Sequence, residues 1–144
     1  MKKIVPLLLL VLVALSAPAQ PQSATIDPAV DSVVSGGYWT DGADRGTYRV
    51  VVRSGGFDHI ISEITIEWLS EPQDENGEAA VRKSVVVKEG QGLWRAADCR
   101  LETAPSSDKT FLSWRAINTH DQTERECRVR LLPNGSYRLV KACD

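Results

Sequence analysis

The side chains with the most chemical potential in this sequence are two histidines and three cysteines. His59 and His120 are the only imidazoles among 144 residues, and each has an aspartate beside it, Asp58 and Asp121. A histidine oriented by a carboxylate can act as a general base, and a hydrolase would pair it with a hydroxyl nucleophile such as Ser62 or Ser113. No Gly-x-Ser-x-Gly elbow presents either serine in that role. Both histidines stand beside predicted turns, where a polar loop residue is the simpler reading. No residue is therefore assigned as catalytic.

Cys99, Cys127 and Cys143 form no Cys-x-x-Cys pair that could serve as a redox dithiol, and no closely spaced ligand pairs suit zinc. In an oxidising compartment an odd count leaves one bridge and one free thiol. The Asn134-Gly135 turn favours one of the three pairings, although a two-residue loop would shift its register by one and Cys99 could meet either partner across the core of a sandwich. A three-residue loop that sets position 133 against position 137 carries Cys127 opposite Cys143, within reach across neighbouring strands. Cys99 then lies two strands from Cys127, about 9.6 Å away, too far for a bridge within one sheet. The expected disulfide is Cys127 with Cys143, and Cys99 stays free.

The remaining motifs reduce to structure. Asp41-Gly42-Ala43-Asp44-Arg45-Gly46 is acidic and glycine-rich like a calcium loop, but it lacks alternating acids at the first, third and fifth positions and a distal glutamate, so it reads as a β-turn. Glu63 and Glu67 share a strand face but sit about 13 to 14 Å apart by strand rise, beyond a glycosidase pair, and read as solvent-facing. Asn134-Gly135-Ser136 fits a glycosylation sequon, and its hairpin turn role accounts for it. No metal and no cofactor is expected.

The elements that carry these residues repeat with period two. Tyr48, Val50 and Val52 fall on one face of a strand, with Arg49 and Arg53 on the other; Ile60, Ile64, Ile66 and Trp68 share a face opposed by Glu63, Thr65 and Glu67. Val81, Val85 and Val87 alternate with Arg82, Ser84 and Lys88. Leu112, Trp114 and Ala116 share a face, as do Cys127, Val129 and Leu131, and Tyr137 to Cys143 returns after the Asn134 turn. Trp68, Trp94, Trp114 and Tyr137 read as core. No window shows a helical stripe. The pattern predicts an all-β antiparallel sandwich or small barrel of about 7–8 strands with meander topology. Whether Gly36-Gly37-Tyr38-Trp39 belongs to the surface or the core is open at this level.

The chain begins with Lys2 and Lys3, an apolar run from Ile4 to Leu15 and Ala17-Pro18-Ala19, the three parts of a secretory signal with cleavage after Ala19. The run is short of the roughly 20 apolar residues that span a bilayer. The expected organisation is a leader at 1–19, a flexible lead-in at 20–30 and one all-β domain at 31–144. Of 17 basic side chains, Lys2 and Lys3 leave with the leader, so 15 face 19 acidic ones, a formal charge near −4. Nucleic acid and anionic lipid do not suit that balance. The resulting expectation is a periplasmic or secreted β domain that works by binding an unknown protein or small molecule in the envelope. The alternatives are an inhibitor-like module against a hydrolase, an accessory subunit joined through a strand edge, and a small hydrolase using His59 or His120.

Overall fold

The structure, a computed structural model, describes residues 27–72, 77–89, 91–92, 94–105 and 107–143. The leader with Ala19, residues 20–26 of the lead-in and residues 73–76 of the loop after Ser70 lie outside that set. Eight strands run in chain order: β1 (Val30–Asp41), β2 (Asp44–Gly55), β3 (Ile61–Ser70), β4 (Val81–Val86), β5 (Trp94–Thr103), β6 (Thr110–Asn118), β7 (Glu124–Leu132) and β8 (Ser136–Lys141). They form two antiparallel four-stranded sheets, β1-β2-β3-β4 and β5-β6-β7-β8. Each sheet is a meander, and the two are stacked as a sandwich rather than closed into a barrel.

Cross-strand register explains which side chains meet inside. In the first sheet, Val34, Val50, Ile66 and Val85 form one inward row, while Tyr48 stands opposite Trp68 with ring centroids 5.8 Å apart in an edge-to-face arrangement. In the second, Leu101, Leu112 and Val129 align inside, with Leu139 exposed at the edge of the same row, and Trp114 faces Cys127. Trp68, Trp114 and Tyr48 are fully buried; Trp94 and Tyr137 pack against the core from its margin. Each such aromatic or branched side chain contributes about 1.5–3 kcal/mol by leaving water.

Gly37 settles the fate of its neighbours. It adopts φ +67° at a β-bulge, so the strand advances one extra residue between Gly36 opposite Tyr48 and Tyr38 opposite Thr47. That slip turns Tyr38 outward, 71 % exposed, and Trp39 inward, 2 % exposed. The Trp39 indole donates to the Thr47 carbonyl oxygen at 3.0 Å and lies over Gly46, where a Cβ would come within 2.8 Å of its ring.

Several local expectations shift for similar reasons. Ile60 lies in the β2–β3 loop and is exposed, so it does not share the face of Ile64, Ile66 and Trp68; Ser62 occupies the inward position instead. Val81 departs from the face of Val85 and Val87, because a bulge at Arg82 pairs it with outward-facing Leu69. Asp27 to Ala29, placed by composition in the lead-in, already engage the fold: the Ser54 amide donates to the Ala29 carbonyl and the Val30 amide to that of Asp27.

Cys127 and Cys143 form a disulfide with their Cα atoms 4.9 Å apart, and Cys99 is free. The register differs from the simple count. The turn closes with Leu132 opposite Ser136, which alone would set Cys127 against Lys141; a bulge between Val129 and Arg128 then moves Lys141 opposite Arg128 and brings the following residues, with Cys143, back toward Cys127.

Candidate functional site

In an up-and-down meander alternate turns lie at the same end, so the β2–β3 and β6–β7 loops of the two sheets gather there. The two histidines ride on these loops, and their rings meet with centroids 4.3 Å apart and planes at 47°. Each loop is set by specific turn chemistry. Gly56 takes φ +115° and lies so close to the His59 carbonyl that a Cβ would stand 2.1 Å from its oxygen. On the other side Asn118 Oδ1 accepts the amides of His120, at 2.8 Å, and Asp121, at 3.4 Å. The Gln122 amide returns to the Asn118 carbonyl with Gln122 at φ +61°.

The flanking acids have separate tasks. Asp121 Oδ1 accepts the Thr123 amide at 2.9 Å and the Thr123 hydroxyl at 2.7 Å. The Thr123 amide, then its hydroxyl, hold the Asp121 carboxyl below the usual carboxylate range, with a further contribution from His120. Asp58 lines a shallow cleft of about 200 Å³ with Ile60, Arg95, Ile117, Thr119 and Gln122. Both imidazoles are exposed.

Neither proposed nucleophile joins them. The Ser62 hydroxyl is buried between the sheets, where its oxygen accepts the Ala96 amide at 3.0 Å and lies 2.9 Å from Ser54 Oγ. Ser113 is buried on the opposite side of the second sheet, between Arg100 and Arg128 in register. Among the described residues no hydrogen bond links either histidine ring to either serine. Ser62 is thus a tie between β3 and β5, in keeping with the rule that buried polar groups find partners.

The other motifs resolve into scaffold. Asp41 and Asp44 pair across a tight turn in which Gly42 takes φ +65°, and both carboxylates approach Arg82 Nη2, at 3.5 and 3.2 Å. A guanidinium therefore occupies the acids of the calcium-like hexad. Glu67 is ion-paired with Arg49 and its side chain is only 15 % exposed, so it is held against the sheet rather than free in solvent; Glu63 stands opposite Arg53. Asn134 Oδ1 accepts the Ser136 hydroxyl at 2.6 Å beside Gly135 at φ +77°. Among the described residues, no group of three or more His, Cys, Asp or Glu side chains is placed to hold a metal ion, and no helix is long and apolar enough to cross a membrane.

The outer faces of the two sheets differ in kind. Outside β5–β8, Arg100 bridges Glu102 and Glu126, Arg128 reaches Glu102, Lys141 reaches Glu126, and Arg115 reaches Asp98 and Glu124. Arg128 also covers the Phe111 ring, its guanidinium carbon 4.4 Å from the centroid. Outside β1–β4, register lines up Val33, Val51, Thr65 and Val86 in one row and Tyr38, Thr47, Leu69 and Val81 in another, with the Arg49–Glu67 pair between them. Val33, Tyr38, Val81 and Val86 are exposed.

Sequence reasoning missed two of these features. Strand parity alone places the two histidine turns at one end, a signal present once the meander is adopted. The second apolar face was signalled by Val51 and Leu69, which break the inward alternation of their strands. The chain matches no protein-family model, no curated protein and no solved structure.

Proposed function

We propose that this chain is an exported, non-enzymatic domain that binds a protein partner in the periplasm or the medium through the outer face of β1–β4. The observation that carries the reading is the pair of apolar rows on that face. Four large apolar side chains stand exposed there at the row ends on β1 and β4, flanking Val51 and Leu69, which are themselves buried. Exposed apolar side chains gathered on one sheet face mark interaction sites more often than ones scattered singly do. Tyr38 supplies the amphipathic ring favoured at interface centres, and the Arg49–Glu67 pair gives the flat surface a polar landmark that fixes orientation.

Export is supported by the leader pattern and agrees with the disulfide. The hydrolase alternative lacks support in the geometry: the histidines contact each other, both candidate serines are buried, and Ser62 ties β3 to β5. Hydroxyl-radical footprinting tests the reading. The protein, expressed with its own leader, is oxidised alone and in the extract of its own compartment, and Tyr38 is expected to be protected in the extract. Equal oxidation of Tyr38 in both samples overturns the assignment of this face.

A further inference from the structure

The two histidines are 61 positions apart in sequence, belong to different sheets, and end up in ring contact at an exposed site. We propose that His59 and His120 together form a binding site for a divalent first-row transition metal ion, with water filling the remaining coordination positions. Imidazole is a ligand common to zinc, copper and nickel, and each neutral ring offers one nitrogen lone pair.

The geometry fits. When two imidazoles bind one metal through nitrogen at about 2.0–2.1 Å, their centroids are about 4.5 Å apart for a right-angle arrangement and about 5.2 Å for a tetrahedral one. The observed 4.3 Å lies a few tenths of an ångström from the first value, within reach of a small rotation about the exposed side-chain torsions. The right-angle preference and the usual affinity order both favour Cu²⁺ over Zn²⁺.

The loops are held for this arrangement independently of any metal. Gly56 folds the β2–β3 loop tightly behind His59, and Asn118 fixes the backbone at His120. Asp121 adds negative charge beside His120, its carboxylate held by Thr123. Two protein ligands leave open positions, so the site takes up an ion reversibly rather than burying it. A bound ion joins the end of one sheet to the end of the other.

The test uses the protein expressed with its own leader, stripped with a chelator and titrated with Cu²⁺ while the electron paramagnetic resonance spectrum is recorded. One equivalent is expected to bind with the hyperfine pattern of two nitrogens. His59→Gln and His120→Gln are each expected to weaken binding by at least about tenfold and to remove one nitrogen from the pattern. Because both rings are exposed, the metal-free melting temperature of each variant should match the parent; His59→Asn and His120→Asn replace any variant whose fold is disturbed. Loss of a saturable site in the parent, or binding and nitrogen count unchanged in both variants, overturns the proposal. So does transfer of the site to Cys99, shown by loss of binding in Cys99→Ser alone.

Discussion

The Trp68 indole, on β3, donates to the main-chain carbonyl oxygen of Leu132, the last residue of β7, at 2.8 Å. A side chain from one sheet thereby satisfies the backbone of the other, at a site where Trp68 is also packed edge-on against Tyr48. The sandwich is joined by this bond and, toward the opposite end, by the Ser62 hydroxyl accepting the Ala96 amide.

Trp68→Phe removes the donor but keeps much of the apolar volume. It should lower stability by about 1–3 kcal/mol, through the lost hydrogen bond and the smaller ring while the Leu132 carbonyl keeps the Gly135 amide at 3.3 Å, and Trp68→Ala by about 3–5 kcal/mol through the cavity it leaves. Urea unfolding checks both, with the midpoint expected to fall and the slope to hold.

Ser62→Ala leaves the Ala96 amide without an acceptor inside the fold. A loss of about 1–3 kcal/mol in the same assay is expected. An equal loss of some hydrolytic activity, with the fold intact, would instead give Ser62 a chemical role.

Gly46→Ala should be among the most damaging small changes. A Cβ at Gly46 would stand 1.8 Å from the Leu69 carbonyl oxygen and 2.8 Å from the Trp39 ring, and the backbone oxygen cannot rotate away. The expected destabilisation is about 3 kcal/mol or more, measured by thermal unfolding.

These residues show what is legible in the sequence. Alternation in Tyr48, Val50 and Val52 suffices to place β2, and the Asn134-Gly135 turn suffices to place the last hairpin, because both signals are local. The bulges are less legible. Gly37, Arg82 and the β7–β8 irregularity each shift a strand by one residue, which reverses faces downstream and decides Trp39, Val81 and the approach of Cys143. Nothing at those positions alone distinguishes a bulge from continued pairing; Thr110 beside Gly37 and Leu69 opposite Val81 supply the reason only in three dimensions. The histidine contact is likewise a product of topology, not of either local sequence.

Burial pushes the Cys99 thiol from an ordinary 9.0 up to about 12, with Asp98 and then Asp31 adding to the rise. It also raises the Tyr48 hydroxyl from 10.0 to about 12, against a smaller opposing effect of Arg130. Above pH 9.0 the unfolded chain releases the thiol proton while the folded chain keeps it. Stability therefore falls as pH rises from about 9 toward 12, by up to roughly 1.4 kcal/mol per unit for one group, and Tyr48 steepens the fall above pH 10. Unfolding curves from pH 7 to 11 should show this slope, and Cys99→Ser should remove its first part. The parent thiol should also react slowly with alkylating reagents until the protein unfolds.

The Cys127–Cys143 bridge spans 16 positions. Its removal in Cys127→Ala/Cys143→Ala should cost about 3 kcal/mol or more, since the chain-entropy contribution adds to the loss of the buried Cys127 side chain. Intact mass of the native protein should show one alkylatable thiol after unfolding without reductant.

Binding through the outer face of β1–β4 can be measured by quantitative capture. The parent protein, Val33→Asp, Val86→Asp and the opposite-face control Arg100→Ala are expressed with their own leader and used to capture proteins from the compartment they reach. One protein partner is expected at near-equal amount with the parent and the control, and at least about tenfold less of it with both valine variants, their melting transitions retained. Recovery indifferent to Val33 and Val86, or no partner from any of the four, would contradict binding through this face.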